Sequence, residues 1–482
     1  ADLIDLAEEF ENRARKRITS FTSIASPNWA PPREACMRCR WQEHCATGRV
    51  QDRDLSLIYG FRTTSRKALS KAEITSIDQM SVATDDQYLE IKKDISKESF
   101  VRLREQARIQ IKGESQDTPI YEVVDTNPFL LIPMKSKGDI WFDMEGDPYS
   151  NGGLGLEYMF GVAYFEEGDL KFRTFEAHTP QEEKKAFSDF MQFVVERREQ
   201  FPDLHIYHYA SYEQRALRTL AQRYGVFEAE YGYLVTNAIM VDLFSIVRKS
   251  LRFSTDSMSI KAIEPLFYKG NRGEDVSTAM ESVIAFQDAS LDLMNGNQEG
   301  FDAKLSKIRK YNEFDCRSLQ SLDNWLRKLA SERGISPTLG DFEAKDASDQ
   351  PTLEEVALLE NIPTEQKTRT QEENAFALLS SAIKYHKREE KPGWWKFFDC
   401  AKKDLDELAE EDEVLLFETV TSAGWMPASN GRRKDFRELT LSDTNSGDLT
   451  LDYKPKANIQ LLYSSAHPER GTIAGTERTK KS

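Results

Sequence analysis

Short apolar runs and one helical repeat mark the middle of the chain most clearly. An apolar stripe begins at Phe187 and continues at i+3, i+4 and i+7, which predicts an amphipathic helix over residues 180–198. Around it, runs with the length and composition of strands occupy residues 139–144, 158–165, 170–177 and 205–209. The pattern therefore predicts three strands, a helix and a fourth strand.

The pattern after the fourth strand is mostly helical. We predict a helix from about residue 212 to 224, a helical region over 226–267, a looser stretch to about 300 and a long helix over 302–332. Strands followed by helices in this order predict an α/β domain with a mixed sheet flanked by helices, over residues 138–333.

The pattern on either side divides the chain further. We predict a helical segment containing a cysteine cluster over residues 1–53 and a bridging segment of short helices over residues 54–137. We also predict an acidic linker over residues 334–372 and a segment that is first helical and then strand-like over residues 373–482. The length of 482 residues agrees with several domains.

Composition excludes several classes of protein. The net charge of −16 argues against a protein that passively coats nucleic acid, but it suits an enzyme that holds metal ions with carboxylates. Five cysteines in this length exclude a disulfide scaffold, and no apolar run is long enough to cross a membrane. We expect a cytoplasmic protein. Because the first residue is alanine, we also expect a piece of a longer chain.

Candidate chemistry begins with two acids on the first central strand. Asp143 and Glu145 lie in the string WFDMEGDP, and alternate residues of a strand share one face. Carboxylates on an apolar strand are costly unless something compensates their charge. A pair of divalent cations would do so.

Two further acids lie on helices. One is at the start of a helix, and the other is on a helix face that we expect to point inward. Glu213 begins the helix that follows residues 205–209, in HYASYEQRAL. Asp315 and Tyr311 are four residues apart on the long helix, so they share a face with Ile308 and Leu319 that we expect to point inward.

Asp-x-Glu on a first strand, an acid at a strand-to-helix junction and Tyr-x-x-x-Asp on a late helix resemble the DEDD (DnaQ-like) exonucleases, which have the ribonuclease H-like fold. Tyr311 resembles the tyrosine of the DEDDy branch, since the histidine branch would carry its histidine where this chain has Lys310. The resemblance implies a 3′→5′ exonuclease in which Tyr311 orients the attacking water. It also implies that two Mg²⁺ or Mn²⁺ ions are bound by Asp143, Glu145, Glu213 and Asp315.

The chain departs from that pattern at its second motif. The family usually has an aspartate where this chain has Glu213, so the longer side chain would shift a metal ligand. Asp242, in VDLFSIVRK, is a candidate substitute ligand. Together with His208 and with Lys261 in SIKAIE, it is also a candidate for binding substrate.

The cysteine cluster Cys36-x₂-Cys39-x₅-Cys45 is compact and basic. Cysteines this close usually bind metal, either zinc with His44 as a fourth ligand or an iron–sulfur cluster; structural or free thiols are the alternative. The spacing resembles the iron–sulfur staple of RecB-family nucleases of the AddB type. That resemblance implies a 4Fe–4S cluster with a fourth cysteine upstream, where this chain has none.

The order of segments resembles bacterial RecB-like nuclease–helicase fusion proteins, through strings such as FDMEGDP, YNEFDC and YHKREEKPGWWKFFD. The resemblance implies a helicase domain in the same parent chain, although no phosphate-binding G-x-x-x-x-G-K-[ST] loop is present in this sequence. The leading hypothesis is a metal-dependent nuclease acting on DNA ends in DNA repair. The alternatives are a weakened domain that only binds nucleic acid for a helicase, and an exonuclease acting on RNA.

Overall fold

A computed structural model describes residues 39–270, 278–336 and 353–360 without interruption. Outside these ranges it describes Arg15 and Cys36, several short pieces between residues 362 and 400, and the backbone of four short strands between residues 420 and 472. Most of the predicted helical segment before residue 39 and most of the segment YHKREEKPGWWKFFD lie outside the described residues.

A mixed sheet of five strands forms the centre of the molecule, in the order β4-β3-β2-β5-β6. Strand β2 pairs antiparallel with β3 and parallel with β5, which itself pairs parallel with β6. A separate ribbon joins β1 to β7. The seven strands are β1 (Tyr121–Val123), β2 (Ile140–Asp147), β3 (Leu156–Glu166), β4 (Asp169–Glu176), β5 (Ile206–His208), β6 (Met240–Asp242) and β7 (Leu251–Phe253).

Five helices precede the sheet and seven are interleaved with or follow its strands within the described residues up to 336. The first five are α1 (Gln42–Gln51), α2 (Thr63–Lys71), α3 (Ile77–Ser81), α4 (Asp85–Ile91) and α5 (Lys97–Gly113). The next seven are α6 (Pro180–Gln200), α7 (Tyr212–Tyr224), α8 (Glu228–Thr236), α9 (Leu243–Ser250), α10 (Ile260–Ile263), α11 (Ala279–Met294) and α12 (Gln298–Glu332). The predicted mixed α/β architecture, with a sheet flanked by helices, is confirmed.

Alternation along β2 directs its side chains to two different cores. Ile140, Phe142 and Met144 pack with α6, α7 and α8 on one face, where Phe142 stacks on Phe190 with ring centroids 4.5 Å apart. Trp141 points to the other face and packs with the buried stripe of α12. Because the period of a strand is two, Asp143 and Glu145 lie on the Trp141 side and face α12.

The bridging helices form a core of their own and are tied to the sheet domain by hydrogen bonds. Leu69, Met80 and Phe100 are among its buried residues. On α5, the buried Gln106 donates its side-chain amide to the backbone oxygen of Phe253 on β7, at 2.9 Å. The ribbon of β1 and β7 therefore fixes the bridging segment to the α/β domain.

Two of the sequence expectations were wrong. Residues 226–267 are not continuously helical, because β6 and β7 separate the helices there. These strands have three residues each, too few for an alternating pattern to be visible. The looser stretch before residue 300 contains α11, whose start has a capping box between Thr278 and Glu281 that was readable in the sequence.

The C-terminal part follows its predicted order, helical and then strand-like, in the pieces described. Helices α13 (Leu353–Leu359) and α14 (Gln371–Ile383) precede two antiparallel pairs, β8 (Val420–Met426) with β9 (Phe436–Leu441) and β10 (Asn458–Leu461) with β11 (Glu469–Thr472). Among the residues described, no helix combines the length and apolar character needed to cross a membrane.

Candidate active site

Three carboxylates meet between β2 and α12. Asp143, Glu145 and Asp315 each offer an oxygen within 4.8 Å of the oxygens offered by the other two. Glu145 and Asp315 are buried, and Asp143 is half-buried. Of the described histidine, cysteine, aspartate and glutamate side chains, these three form the group that meets this distance.

The backbone explains why these acids converge. Asp143 and Glu145 occupy alternate positions of a central strand, so they point to the same side of the sheet. On α12, Tyr311 and Asp315 lie four residues apart in the buried stripe with Ile308 and Leu319. The predicted inward face of the long helix is thus confirmed, and it crosses the sheet where the β2 acids project.

Burial and mutual repulsion disfavour ionisation of the β2 acids. Burial raises the pKa of Asp143 well above its ordinary value, and the charges of Asp315 and Glu145 raise it further. Burial also raises the pKa of Glu145 to about 8, although nearby hydrogen-bond donors oppose this shift. Carboxylates held together under this penalty are typical of sites that bind cations.

Lys261 and Tyr311 form a pair beside the carboxylates. The ammonium of Lys261 donates to the Tyr311 hydroxyl at 2.6 Å and lies 4.8 Å from the centre of its ring. The same positive charge favours ionisation of Asp143 and Glu145 and offsets part of the rise in their pKa values. The structure therefore brings these two predicted residues to the site, on α10 and α12.

Glu213 stands next to the group of three carboxylates rather than within it. It is buried at the start of α7, and its Oε2 lies 3.7 Å from Nδ1 of His208 at the end of β5. Burial raises the pKa of Glu213, an effect that the nearby imidazole of His208 opposes. Its charge is close enough to raise the pKa of Asp143. Glu213 is thus an electrostatic neighbour of the three acids.

His208 is fully enclosed by the β5–α7 junction. Its Nδ1 lies 2.8 Å from the backbone oxygen of Ala210. Burial opposes protonation of the ring, but Glu213 and Asp242 outweigh it, so the pKa of His208 is raised. His208 and Glu213 therefore lie close enough for each to favour the charged form of the other.

Asp242 holds the backbone of the same junction. Its Oδ1 accepts from the amide of Ala210 at 2.8 Å and from the amide of Phe244 at 2.9 Å, where it caps α9. Ala210 has a φ of 74°, a conformation that a residue with a Cβ adopts only when its surroundings hold it. In this structure Asp242 therefore shapes the turn that presents Glu213.

Sequence reasoning missed three residues at the site. Asn312 on α12 donates its Nδ2 to Oδ2 of Asp143 at 2.7 Å. Ser282 on α11 forms a 2.7 Å hydrogen bond with the Tyr158 hydroxyl and favours the ionised form of Glu145, opposing the rise in its pKa. Gly161, directly opposite Asp143 on β3, leaves the space in which Asn312 lies. The YNEFD string contained Asn312, but nothing local indicated its partner.

The cysteine cluster is not assembled among the described side chains. Cys39 is exposed, and Cys36 and Cys45 are partly exposed. Cys45 lies on α1, and the amide of Cys39 donates to the backbone oxygen of Cys36 at 3.0 Å. Within the described residues the three thiols and His44 do not form a group with metal-ligand spacing.

The donor set at the three acids fits a hard divalent cation. Mg²⁺ and Mn²⁺ prefer carboxylate oxygens, and Mg²⁺ is usually held by one or two carboxylates with waters and phosphate oxygens completing its shell. Burial and neighbouring acids raise the pKa values of Asp143 and Glu145 although Lys261 opposes the shift, so a bound cation would relieve their repulsion. Asp143, Glu145 and Asp315 are the residues that would hold such an ion.

The comparison with protein families agrees with this geometry. Residues 140–327 match a family model described as the RNase_H superfamily. The matched range covers the five-stranded sheet and all three carboxylates. This part of the chain is therefore an RNase H-like domain, and members of that superfamily are usually nucleases. Neither a curated protein nor a solved structure matches the chain.

Proposed function

We propose that the RNase H-like domain is a divalent-metal-dependent nuclease that degrades DNA from its ends in the 3′→5′ direction. The convergence of Asp143, Glu145 and Asp315 within 4.8 Å carries the proposal. Phosphodiester hydrolysis requires a water activated near neutral pH and a stabilised leaving oxygen. The resemblance to the DEDDy exonucleases supports the choice of an end-directed reaction and of its polarity.

The residues of the chain have distinct parts in this proposal. Two divalent ions, when bound, would supply the activated water and the stabilisation of the leaving oxygen. Asp143, Glu145 and Asp315 would hold them, with Glu213 contributing negative charge alongside. The Tyr311 hydroxyl oxygen accepts a hydrogen bond from Lys261. The hydroxyl hydrogen therefore remains available to donate a hydrogen bond to the attacking water or to a phosphate oxygen. Tyr311 thereby orients the reactants.

A cleavage assay with four substrates tests the proposal. Single- and double-stranded DNA and RNA, labelled at the 5′ or the 3′ end, would be incubated with Mg²⁺, Mn²⁺ or EDTA. We expect 5′-labelled DNA to shorten progressively in metal and to stay intact in EDTA. The Asp315→Asn variant should be inactive on every substrate. Internal cuts, or cleavage that persists in EDTA, would contradict the proposal.

Lys261 provides a separate prediction. Lys261→Met removes the donor to Tyr311, and we expect the cleavage rate to fall roughly 100-fold, the lower end of the usual range for groups that take part in proton transfer. Loss of a positive charge beside carboxylates should leave Mn²⁺ binding equal or tighter. Kinetics and calorimetric Mn²⁺ titration measure the two effects, with Lys171→Met on the exposed side of β4 as the control. Weaker Mn²⁺ binding in Lys261→Met would contradict this role.

A second candidate function is a binding module that positions a helicase without cutting nucleic acid. The observation that favours it is the engagement of Glu213 by His208, which uses one of the four expected acids in an internal contact. The same assay distinguishes the candidates, because a binding module would retard labelled DNA in a gel without shortening it. Cleavage that Asp315→Asn removes would eliminate this candidate.

The larger context is also proposed on the strength of the resemblance. The chain would belong to a RecB-like nuclease–helicase protein of the cytoplasm acting in DNA repair, with the domain boundaries predicted from the sequence. Cys36, Cys39 and Cys45 would bind zinc or form part of an iron–sulfur cluster with a ligand from outside this sequence. Metal analysis of the purified chain, compared with Cys39→Ala, would test that assignment, and RNA remains the alternative substrate.

A further inference from the structure

Asn312 is a buried amide among the carboxylates, and it lies between Tyr311 and Asp315 on α12. Its side chain is fully shielded from solvent. Nδ2 donates to Asp143 Oδ2 at 2.7 Å and lies 3.4 Å from the backbone oxygen of Asp143. The same amide favours the ionised form of Glu145 and opposes the rise in its pKa. One side chain therefore binds Asp143 and acts on the charge of Glu145.

The amide oxygen of Asn312 has no hydrogen-bond partner among the described residues. It points at the Cα of Gly161, and a Cβ at position 161 would overlap it. Gly161 is paired with Asp143 across β2 and β3, so the absence of a side chain there opens the space beside the site. Buried polar atoms are nearly always paired, and an unpaired one at a site calls for an explanation.

We propose that Asn312, seated against Gly161, is a positioning residue that holds Asp143 and Glu145 in the orientation that binds metal. The proposal rests on the proposed function and adds a residue to it. Asn312 would act on the metal through the two acids.

The chemistry of an amide explains why this residue type suits the task. Its two N–H groups orient carboxylate oxygens while leaving their negative charge intact. A lysine or arginine in its place would neutralise the acids and compete with a cation. An apolar side chain would leave the acids free to rotate away from each other. Groups that orient metal ligands typically change affinity about 10- to 100-fold when removed.

A double-mutant cycle on Mn²⁺ binding tests the proposal. Electron paramagnetic resonance would count free Mn²⁺ in titrations of the wild-type chain, Asn312→Ala, Gly161→Ala and the double variant. We expect each single variant to weaken binding about 10- to 100-fold. In the Asn312→Ala background, Gly161→Ala should reduce the Mn²⁺ affinity little further. The methyl group added at position 161 would displace the Asn312 side chain, which that background already lacks. Asn312→Leu, which keeps the number and branching of the side-chain heavy atoms, covers the case in which Asn312→Ala fails to fold.

Cleavage provides a second readout that a purely structural residue would not change. If Asn312 positions metal ligands, higher Mn²⁺ concentrations should restore much of the lost rate in Asn312→Leu. If the Asn312 variants keep their Mn²⁺ affinity while Asp143→Asn loses it, the role of Asn312 is overturned but the proposed function is not. Absence of Mn²⁺ binding in the wild-type chain would overturn both this role and the proposed function.

Discussion

Replacing Asp143 by asparagine is expected to abolish metal-dependent cleavage, with a loss of at least about a thousandfold in rate, equivalent to about 4 kcal/mol. Asp143 offers an oxygen within 4.8 Å of those of both other members of the group, and their charges raise its pKa. Asparagine keeps the size of the side chain but not its charge. The metal-free variant should be at least as stable as the wild type at pH 8, since a buried charge is removed.

Two measurements separate these effects. Single-turnover cleavage gives the rate, and thermal melting in EDTA gives the stability. Asp169→Asn is the matched control, because Asp169 is an exposed aspartate on a neighbouring strand of the same sheet. It should alter neither quantity. A variant at position 143 that cuts DNA at the wild-type rate would show that the chemistry lies elsewhere.

The second large effect concerns stability as a function of pH. Without metal, the folded chain should lose stability as the pH rises from about 4.5 to about 8. Burial raises the pKa of Asp143, of Glu145 to about 8 and of Glu157 to about 7 in the folded state. Unfolded carboxyls titrate near 4, so the folded chain binds more protons across this window and stability falls with pH.

Other titratable groups do not reverse the expected fall in stability as the pH rises. The raised pKa of His208 acts in the same direction, because its stabilising contribution is also lost as the pH rises. The lowered pKa values of Asp54 and Asp147 contribute stability that is lost only at more acidic pH. Each unit of pKa difference corresponds to about 1.4 kcal/mol, so the total fall should amount to several kcal/mol.

Urea unfolding in EDTA at pH 5, 6.5 and 8 measures this dependence. Glu145→Gln should flatten it, because that group no longer titrates. Saturating Mg²⁺ should stabilise the wild-type chain most at pH 8, where the acids are ready to bind it, and should do little for Glu145→Gln. A wild-type stability that rises from pH 5 to pH 8 in EDTA would mean that the acids are compensated by charges of the protein.

Much of the site could be predicted because its two main elements carry local patterns. Alternation along β2 puts Asp143 and Glu145 on one face, and helical spacing puts Tyr311 and Asp315 on another. The order of strands and helices indicated that these faces belong to one domain. The meeting of Asp143, Glu145 and Asp315 then requires only that α12 cover the sheet.

The rest depends on contacts between distant parts of the chain. Asn312 fits because Gly161, far away in sequence, has no side chain, and no periodic pattern reveals such a pair. Ser282 reaches Glu145 from α11, a helix whose capping signal was overlooked. The engagement of Glu213 by His208 depends on the left-handed turn at Ala210, which Asp242 holds. Alanine gives no sign of that conformation in a sequence.

Anomalous scattering near the manganese edge, from a crystal of the chain soaked in Mn²⁺, would locate the bound ion itself. We expect an anomalous peak bounded by oxygens of Asp143, Glu145 and Asp315, and its loss in Asp143→Asn. Carboxylates that stay free of manganese at millimolar Mn²⁺, while the same preparation cleaves DNA in a Mn²⁺-dependent reaction, would contradict it.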